Sequence, residues 1–95
     1  MYNVNVELFN TTMGGNAMEK YLTCFAERLS ILREEKGLSL RALAAELQIS
    51  KSALHQYENC IGDPQLGIVK KIAEYFQVDL NWLIGDSEER NKKNG

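Results

Sequence analysis

The sequence predicts an all-α fold, a compact bundle of five helices. From Met18 to Gly85 apolar residues recur three and four positions apart, the period of one face of a helix. Each break in that period holds a recognised cap or stop: Lys36-Gly37 with Ser39, Ser50, the stretch from Asn59 to Pro64, Asp79, and Gly85. Pro64 is the single proline, so nothing interrupts the helices between these breaks.

Leu22, Phe25, Leu29 and Leu32 share one face of the first helix, with Glu27, Arg28, Glu34 and Glu35 largely off it. Lys36 and Gly37 end it, a basic last turn followed by a glycine stop. Ser39 caps a second helix carrying Leu40, Leu43, Ala44 and Leu47. Gln48 and Ile49 turn the chain, and Ser50 caps a third helix from Lys51 to Glu58. A fourth helix from Gln65 to Phe76 is expected to bury Leu66, Val69, Ile72, Ala73 and Phe76. Asp79 caps a short fifth helix with Leu80, Leu83 and Ile84. No internal repeat stands out.

The two ends read differently. In residues 2–9 Tyr2, Val4, Val6 and Leu8 alternate with Asn3, Asn5 and Glu7, the period of a half-buried strand. Such a strand would pair with its copy in a homodimer; an unstructured arm is the alternative. A third reading makes residues 1–17 a translated leader. Met13-Gly14-Gly15-Asn16-Ala17-Met18 is compatible with a GGAGG ribosome-binding sequence just before a Met18 start codon. The globular domain is assigned to residues 18–86. Residues 87–95 carry no apolar side chain and are expected to form a flexible tail.

The chain of 95 residues fits one domain, and 44% hydrophobic with 25% charged residues is ordinary for a globular protein. No apolar run approaches the roughly 18–20 residues of a membrane span, so no membrane partner is expected. A secretory signal is missing from the N-terminus, and Cys24 and Cys60 form no CxxC pair. A cytoplasmic location with free thiols follows as the expectation. The net charge of −2 sets a condition on nucleic-acid binding: a basic face, not a basic average, must supply the attraction. One histidine, no nucleophile–base set and no metal-ligand cluster argue against an enzyme, a metal or a cofactor. No small-molecule ligand is evident.

Two short helices joined by about three residues form a helix-turn-helix. Between Leu40 and Asn59, Ala44 provides the small residue needed where the helices cross. Leu43, Leu47, Ile49, Leu54 and Tyr57 are spaced to fill the wedge between them. A wedge of this kind sets the second helix at a steep angle, ready to enter a major groove.

At these residues the chain resembles the lambda-repressor-like, Xre-type helix-turn-helix domains. The resemblance rests on Phe25-Ala26-Glu27-Arg28-Leu29, the run from Leu32 to Ser39, Leu43-Ala44, Ile49-Ser50-Lys51-Ser52, Tyr57-Glu58-Asn59, Asp63-Pro64 and the ending from Val78 to Gly85. It spans about residues 22–86 and is specific as a set. It implies a five-helix DNA-binding domain, a transcriptional regulator, and a dimer on a palindromic operator. Mapped onto this chain, it implies base reading by Lys51, Ser52, His55 and Gln56. Lys51 suits guanine O6 or N7, and Gln56 suits adenine N6 and N7. Ser50, Asn59 and Cys60 are expected to face phosphates.

Three positions depart from the family pattern. Leu40 stands where a phosphate-gripping Gln is usual, with Arg41 as its replacement. Gln48 stands where Gly is usual, and a left-handed backbone there would cost on the order of 1 kcal/mol. The loop from Cys60 to Asp63 holds no positive charge. Modest affinity per monomer and a need for dimerisation follow.

The remaining residues have plainer readings. Glu58 is expected to pair with Arg28 or Arg33, at the surface and worth under about 1 kcal/mol. Lys70 and Lys71 read as a solvated face, and Cys60 as a tolerated small residue rather than a redox sensor. Trp82 has two readings, a core side chain or, with Ile84, a dimer contact; the resemblance favours the contact. The leading expectation is a sequence-specific repressor binding double-stranded DNA as a homodimer. The alternative is a protein-interaction module that keeps the fold without DNA binding, which the acidic balance, Leu40 and the uncharged loop favour.

Overall fold

A computed structural model describes residues 17–91, with side chains from Lys20 onward. The strand expected at 2–9, the arm or leader before Ala17, and residues 92–95 lie outside the described residues. Five helices follow in order: α1 Ala17–Glu35, α2 Leu40–Leu47, α3 Lys51–Glu58, α4 Leu66–Phe76 and α5 Leu80–Leu83. Their caps are the expected ones. Ser39 Oγ accepts from Ala42 N at 3.0 Å, Ser50 Oγ from Ala53 N at 3.0 Å, and Asp79 Oδ2 from Trp82 N at 3.1 Å. Each satisfies an N–H that the first helical turn leaves without a partner. No described helix is long and apolar enough to cross a membrane.

The core forms where the apolar faces meet. Leu29, Leu43, Leu47, Leu54, Ile72 and Leu83 are fully enclosed, so every helix contributes at least one. Leu66, expected in the core, is 66% exposed. It occupies the first position of α4, and the buried face of that helix begins one turn later at Val69.

The structure exposes an internal repeat that the sequence concealed. Gln48 ends α2 at φ 59, and Gln77 ends α4 at φ 56, both left-handed. The bonds that close the two turns match. Ile49 N donates to Ala44 O at 3.0 Å, and Val78 N to Ala73 O at 3.0 Å. Gln48 N donates to Ala45 O at 3.2 Å, and Gln77 N to Glu74 O at 3.2 Å. A cap follows each turn, Ser50 or Asp79, and then a fully enclosed leucine, Leu54 or Leu83. The helix-turn-helix at α2–α3 is therefore built again at α4–α5. Substitutions such as Leu43 for Ile72 and Ile49 for Val78 keep shape but not identity, which hides the repeat from a reading of letters.

A flexible tail is expected at 87–95, and of it the structure describes residues up to Asn91. Residues 86–91 run back over the bundle. Asp79 N donates to Arg90 O at 2.9 Å, and Val78 bridges Asn91 in antiparallel fashion. Arg90 Nη1 donates to Glu35 Oε2 at 3.0 Å, and its Nη2 also bonds Glu35. That guanidinium holds the Glu35 carboxyl below the usual carboxylate range, and Glu35 in turn raises Arg90. Arg28 donates to the carbonyls of Trp82 and Ser87 and reaches Glu88 at 3.6 Å. Charged residues without apolar neighbours read as mobile from sequence, but here Glu88 and Arg90 find partners on α1.

Of its two expected readings, Trp82 shows the core one: it is 8% exposed. The Arg28 guanidinium lies 4.8 Å from its ring centroid and that of Arg90 5.3 Å. Ile84 is half-buried, beside Tyr21, Leu22 and Phe25.

Two substitutions test this backbone. Gly85 has φ +85, and a Cβ there would lie 2.6 Å from both Cβ and Sγ of Cys24. Gly85→Ala should lower stability by more than the roughly 1 kcal/mol of the left-handed backbone alone. Gln48→Gly should raise it by up to about 1 kcal/mol, because the turn conformation is already left-handed. Urea unfolding of both variants measures the two signs.

Candidate nucleic-acid interface

Helix α3 divides into two faces. Leu54 is 0% exposed, and Ala53 and Tyr57 are partly buried against α1 and α2. Lys51, Ser52, His55 and Gln56 are all exposed. Positions four apart on a helix are neighbours, so Lys51–His55 and Ser52–Gln56 form two adjacent pairs. The four side chains line one open surface depression. The structure thus brings together every residue expected to read bases. They make no ion pair among the described residues, and their donors and acceptors face solvent.

The wedge behind them is packed as the spacing predicts. Leu43, Ala44 and Leu47 of α2 are buried, and Ile49 and Tyr57 pack against the same core. Tyr57 meets Phe25 of α1 edge to face, with ring centroids 6.2 Å apart. This seats α3 at its middle.

Its C-terminal end is fixed by charge. Arg33 Nε donates to Glu58 Oε2 at 2.7 Å and Arg33 Nη2 to Glu58 Oε1 at 3.0 Å, a bidentate pair. Ser30 Oγ donates to Glu58 Oε1 at 2.9 Å, and Arg33 Nη1 to Leu38 O at 2.9 Å. The Glu58 side chain is 8% exposed and that of Arg33 17%, so the surface pair expected from sequence is instead a nearly enclosed network. The hydrogen bond from Glu58 leads the causes that raise the Arg33 pKa, outweighing the opposing effect of burial. Of the two expected partners Arg33 is the one used. Arg28 is occupied at Trp82 and the C-terminal segment. Ser30 was missed: a lone serine on a helix carries no spacing signal.

The phosphate-facing residues fare less evenly. Arg41 is exposed and has no ion pair among the described residues, so its charge is available. Ser50 accepts from Ala53 N, which leaves its hydroxyl proton to donate. Asn59 and Cys60, expected to face phosphates, are exposed and also make local contacts. Asn59 Nδ2 donates to His55 O at 2.7 Å and closes the end of α3. The N–H groups of Asn59 and Ile61 donate to Gln56 O at 3.1 and 2.9 Å, and that of Cys60 reaches Tyr57 O at 3.5 Å. Cys60 Sγ is directed at Leu22 O, 3.8 Å away. Its backbone is left-handed at φ 60, a turn that consumes local donors. Among the described residues no cluster of His, Cys, Asp or Glu is placed to hold a metal ion.

The division of α3 predicts two kinds of variant. Lys51→Ala and Gln56→Ala should leave urea unfolding within about 0.5 kcal/mol of the parent, as exposed sites do. Leu54→Ala should cost roughly 2–5 kcal/mol. Glu58→Ala should cost about 1–3 kcal/mol, because it strands a partly enclosed guanidinium.

Comparison with known proteins agrees with this geometry. The helix-turn-helix family HTH_3 matches residues 29–83, from the middle of α1 to the end of α5. The HTH-type transcriptional activator BcrR of Enterococcus faecalis is 33% identical over 64 residues, 67% of this chain and 31% of that protein. The cryptic phage CTXphi transcriptional repressor RstR of Vibrio cholerae is 30% identical over 64 residues, 67% of this chain and 58% of that one. The chain therefore spans less than two thirds of either relative. The crystal structure of an HTH_3 family transcriptional regulator from Vibrio cholerae superposes with a TM-score of 0.63 at 28% identity, covering 73% of this chain and 39% of that one. With more than half its length matched, the chain belongs to the helix-turn-helix family HTH_3.

Proposed function

We propose that this protein is a sequence-specific DNA-binding transcription regulator that inserts α3 into the major groove. The observation that carries this is the face of Lys51, Ser52, His55 and Gln56, exposed together on a helix whose other side is packed by Leu54 and tied by Glu58. A helix so held presents its polar groups in fixed register, which base reading requires. Lys51 donates to guanine and Gln56 pairs with adenine; each such contact discriminates by about 1–3 kcal/mol. Arg41 and Ser50 supply the phosphate contacts.

The backbone grip on DNA is thin, because Asn59 and Cys60 spend their donors locally and the following loop is uncharged. Two copies on a two-fold site double the contacts, so the working form is a homodimer. The relatives include an activator and a repressor. Repression is the direction we assign, since occupying a site suffices for it, whereas activation needs a further contact with the transcription machinery.

The committed internal donors also suit a second reading, a protein-interaction module on the same fold. Duplexes selected from a random pool by the purified protein separate the two. A DNA reader should select a two-fold symmetric site and lose affinity steeply with salt, log K falling by about 0.9 per log unit for each phosphate neutralised. Lys51→Ala and Gln56→Ala should relax the selected sequence. Absence of duplex binding at low salt would leave the interaction module as the function.

A further inference from the structure

His55 is the one histidine of the chain, and it stands on the face proposed to read bases. It lines the same open depression as Lys51, Ser52 and Gln56. Lys51 lies one helical turn before it, so the two side chains are neighbours on the helix surface. Histidine is the side chain that ordinarily changes charge between about pH 5 and 8. Neutral imidazole carries one N–H donor and one acceptor. Imidazolium carries two donors and a positive charge.

No carboxylate of the described residues is paired with His55 to hold that charge in the free protein. The one acid of α3 is Glu58, a turn after His55, and its carboxylate is engaged by Arg33 and Ser30 of α1. From α1 the charged group that reaches α3 is Arg33, which Glu58 occupies. Helix α2 brings Arg41 and Glu46, both exposed, and the loop after α3 brings Asp63; none forms an ion pair with His55. The His55 carbonyl accepts from Asn59 Nδ2 at 2.7 Å, a bond that closes the helix end and does not involve the ring.

A DNA duplex supplies the negative charge that the protein does not. Its phosphates favour imidazolium over imidazole in the groove. The effect is large here because the surface offers few other charges. The permanent cations of α2 and α3 are Arg41 and Lys51 alone, and a protonated His55 adds to them. Neither Leu40 nor the segment from Cys60 to Asp63 contributes a positive charge.

We propose that His55 couples DNA binding by this protein to pH: its imidazolium joins Lys51 on the DNA-facing surface, and affinity rises as pH falls through the histidine range. The coupling rests on the reading of α3 as the DNA-binding helix. Its sign follows from reciprocity between two ligands of one protein. If DNA favours the proton at His55, the proton favours DNA by the same factor.

The duplex selected from the random pool is the probe, and binding is measured at about pH 6 and pH 8 over a salt series. Affinity should be several-fold higher at the lower pH. The fall of log K with log salt should also be steeper there, by up to about 0.9, the worth of one phosphate neutralised. His55→Gln should remove both differences whatever its own affinity. His55→Lys should remove them too, while keeping the steeper salt dependence at both pH values. Because the chain holds one histidine, its imidazole signal in nuclear magnetic resonance reports the same event in the parent. The titration midpoint of that signal should move to higher pH in the complex, and this carries the test if His55→Gln no longer binds. An equal midpoint free and bound, or a pH dependence that survives His55→Gln, overturns the coupling. Duplex binding of equal strength at both pH values overturns the coupling and leaves the DNA reading standing. Absence of duplex binding at either pH overturns the reading of α3 and the coupling with it.

Discussion

Glu58 stands at the end of the reading helix with its carboxylate almost withdrawn from solvent. A carboxylate in that position is tolerable only when a cation and further donors meet it. Arg33 supplies the fork, Ser30 adds a third donor, and both come from α1. Arg33 also holds Leu38 O, at the turn into α2. One guanidinium therefore ties α1, the entry to α2 and the end of α3. The orientation of α3 depends on this junction and on the Leu54 wedge together, because a helix of eight residues has little stability of its own.

Helix α1 serves both ends of the molecule. Arg33 and Ser30 engage α3, while Arg28 and Glu35 meet α5 and the C-terminal segment. The two arginines do similar chemistry at different depths. The pair with Glu58 is shielded and fixes a position. The contact between Arg90 and Glu35 is exposed and is the weaker of the two, since water and salt compete for it. That difference in burial makes the first a fixed anchor for α3 and the second a weaker tie on the C-terminal segment.

The repeat of α2–α3 in α4–α5 explains how so short a chain builds a complete core. Each unit supplies a left-handed Gln turn, a capped second helix and an enclosed leucine. Only the first unit carries a polar reading face. In the second, the corresponding helix is four residues long and its tryptophan lies under two cations.

Much of this was determined by the sequence itself. Apolar spacing located all five helices, and Ser39, Ser50 and Asp79 marked three of their starts, because amphipathic faces and caps are local properties. The exposed face shared by Lys51, Ser52, His55 and Gln56 was legible too, since one helical period fixes which side chains share a side. Tertiary structure alone decided which arginine met Glu58, and the helix end decided that the Asn59 amide would donate to His55 O. Tertiary structure also decided that Trp82 would be buried beside the guanidinium groups of Arg28 and Arg90. Those outcomes depend on contacts between residues some 25 to 55 positions apart or on the local hydrogen-bond competition at a helix end, and no periodicity in a linear chain encodes either.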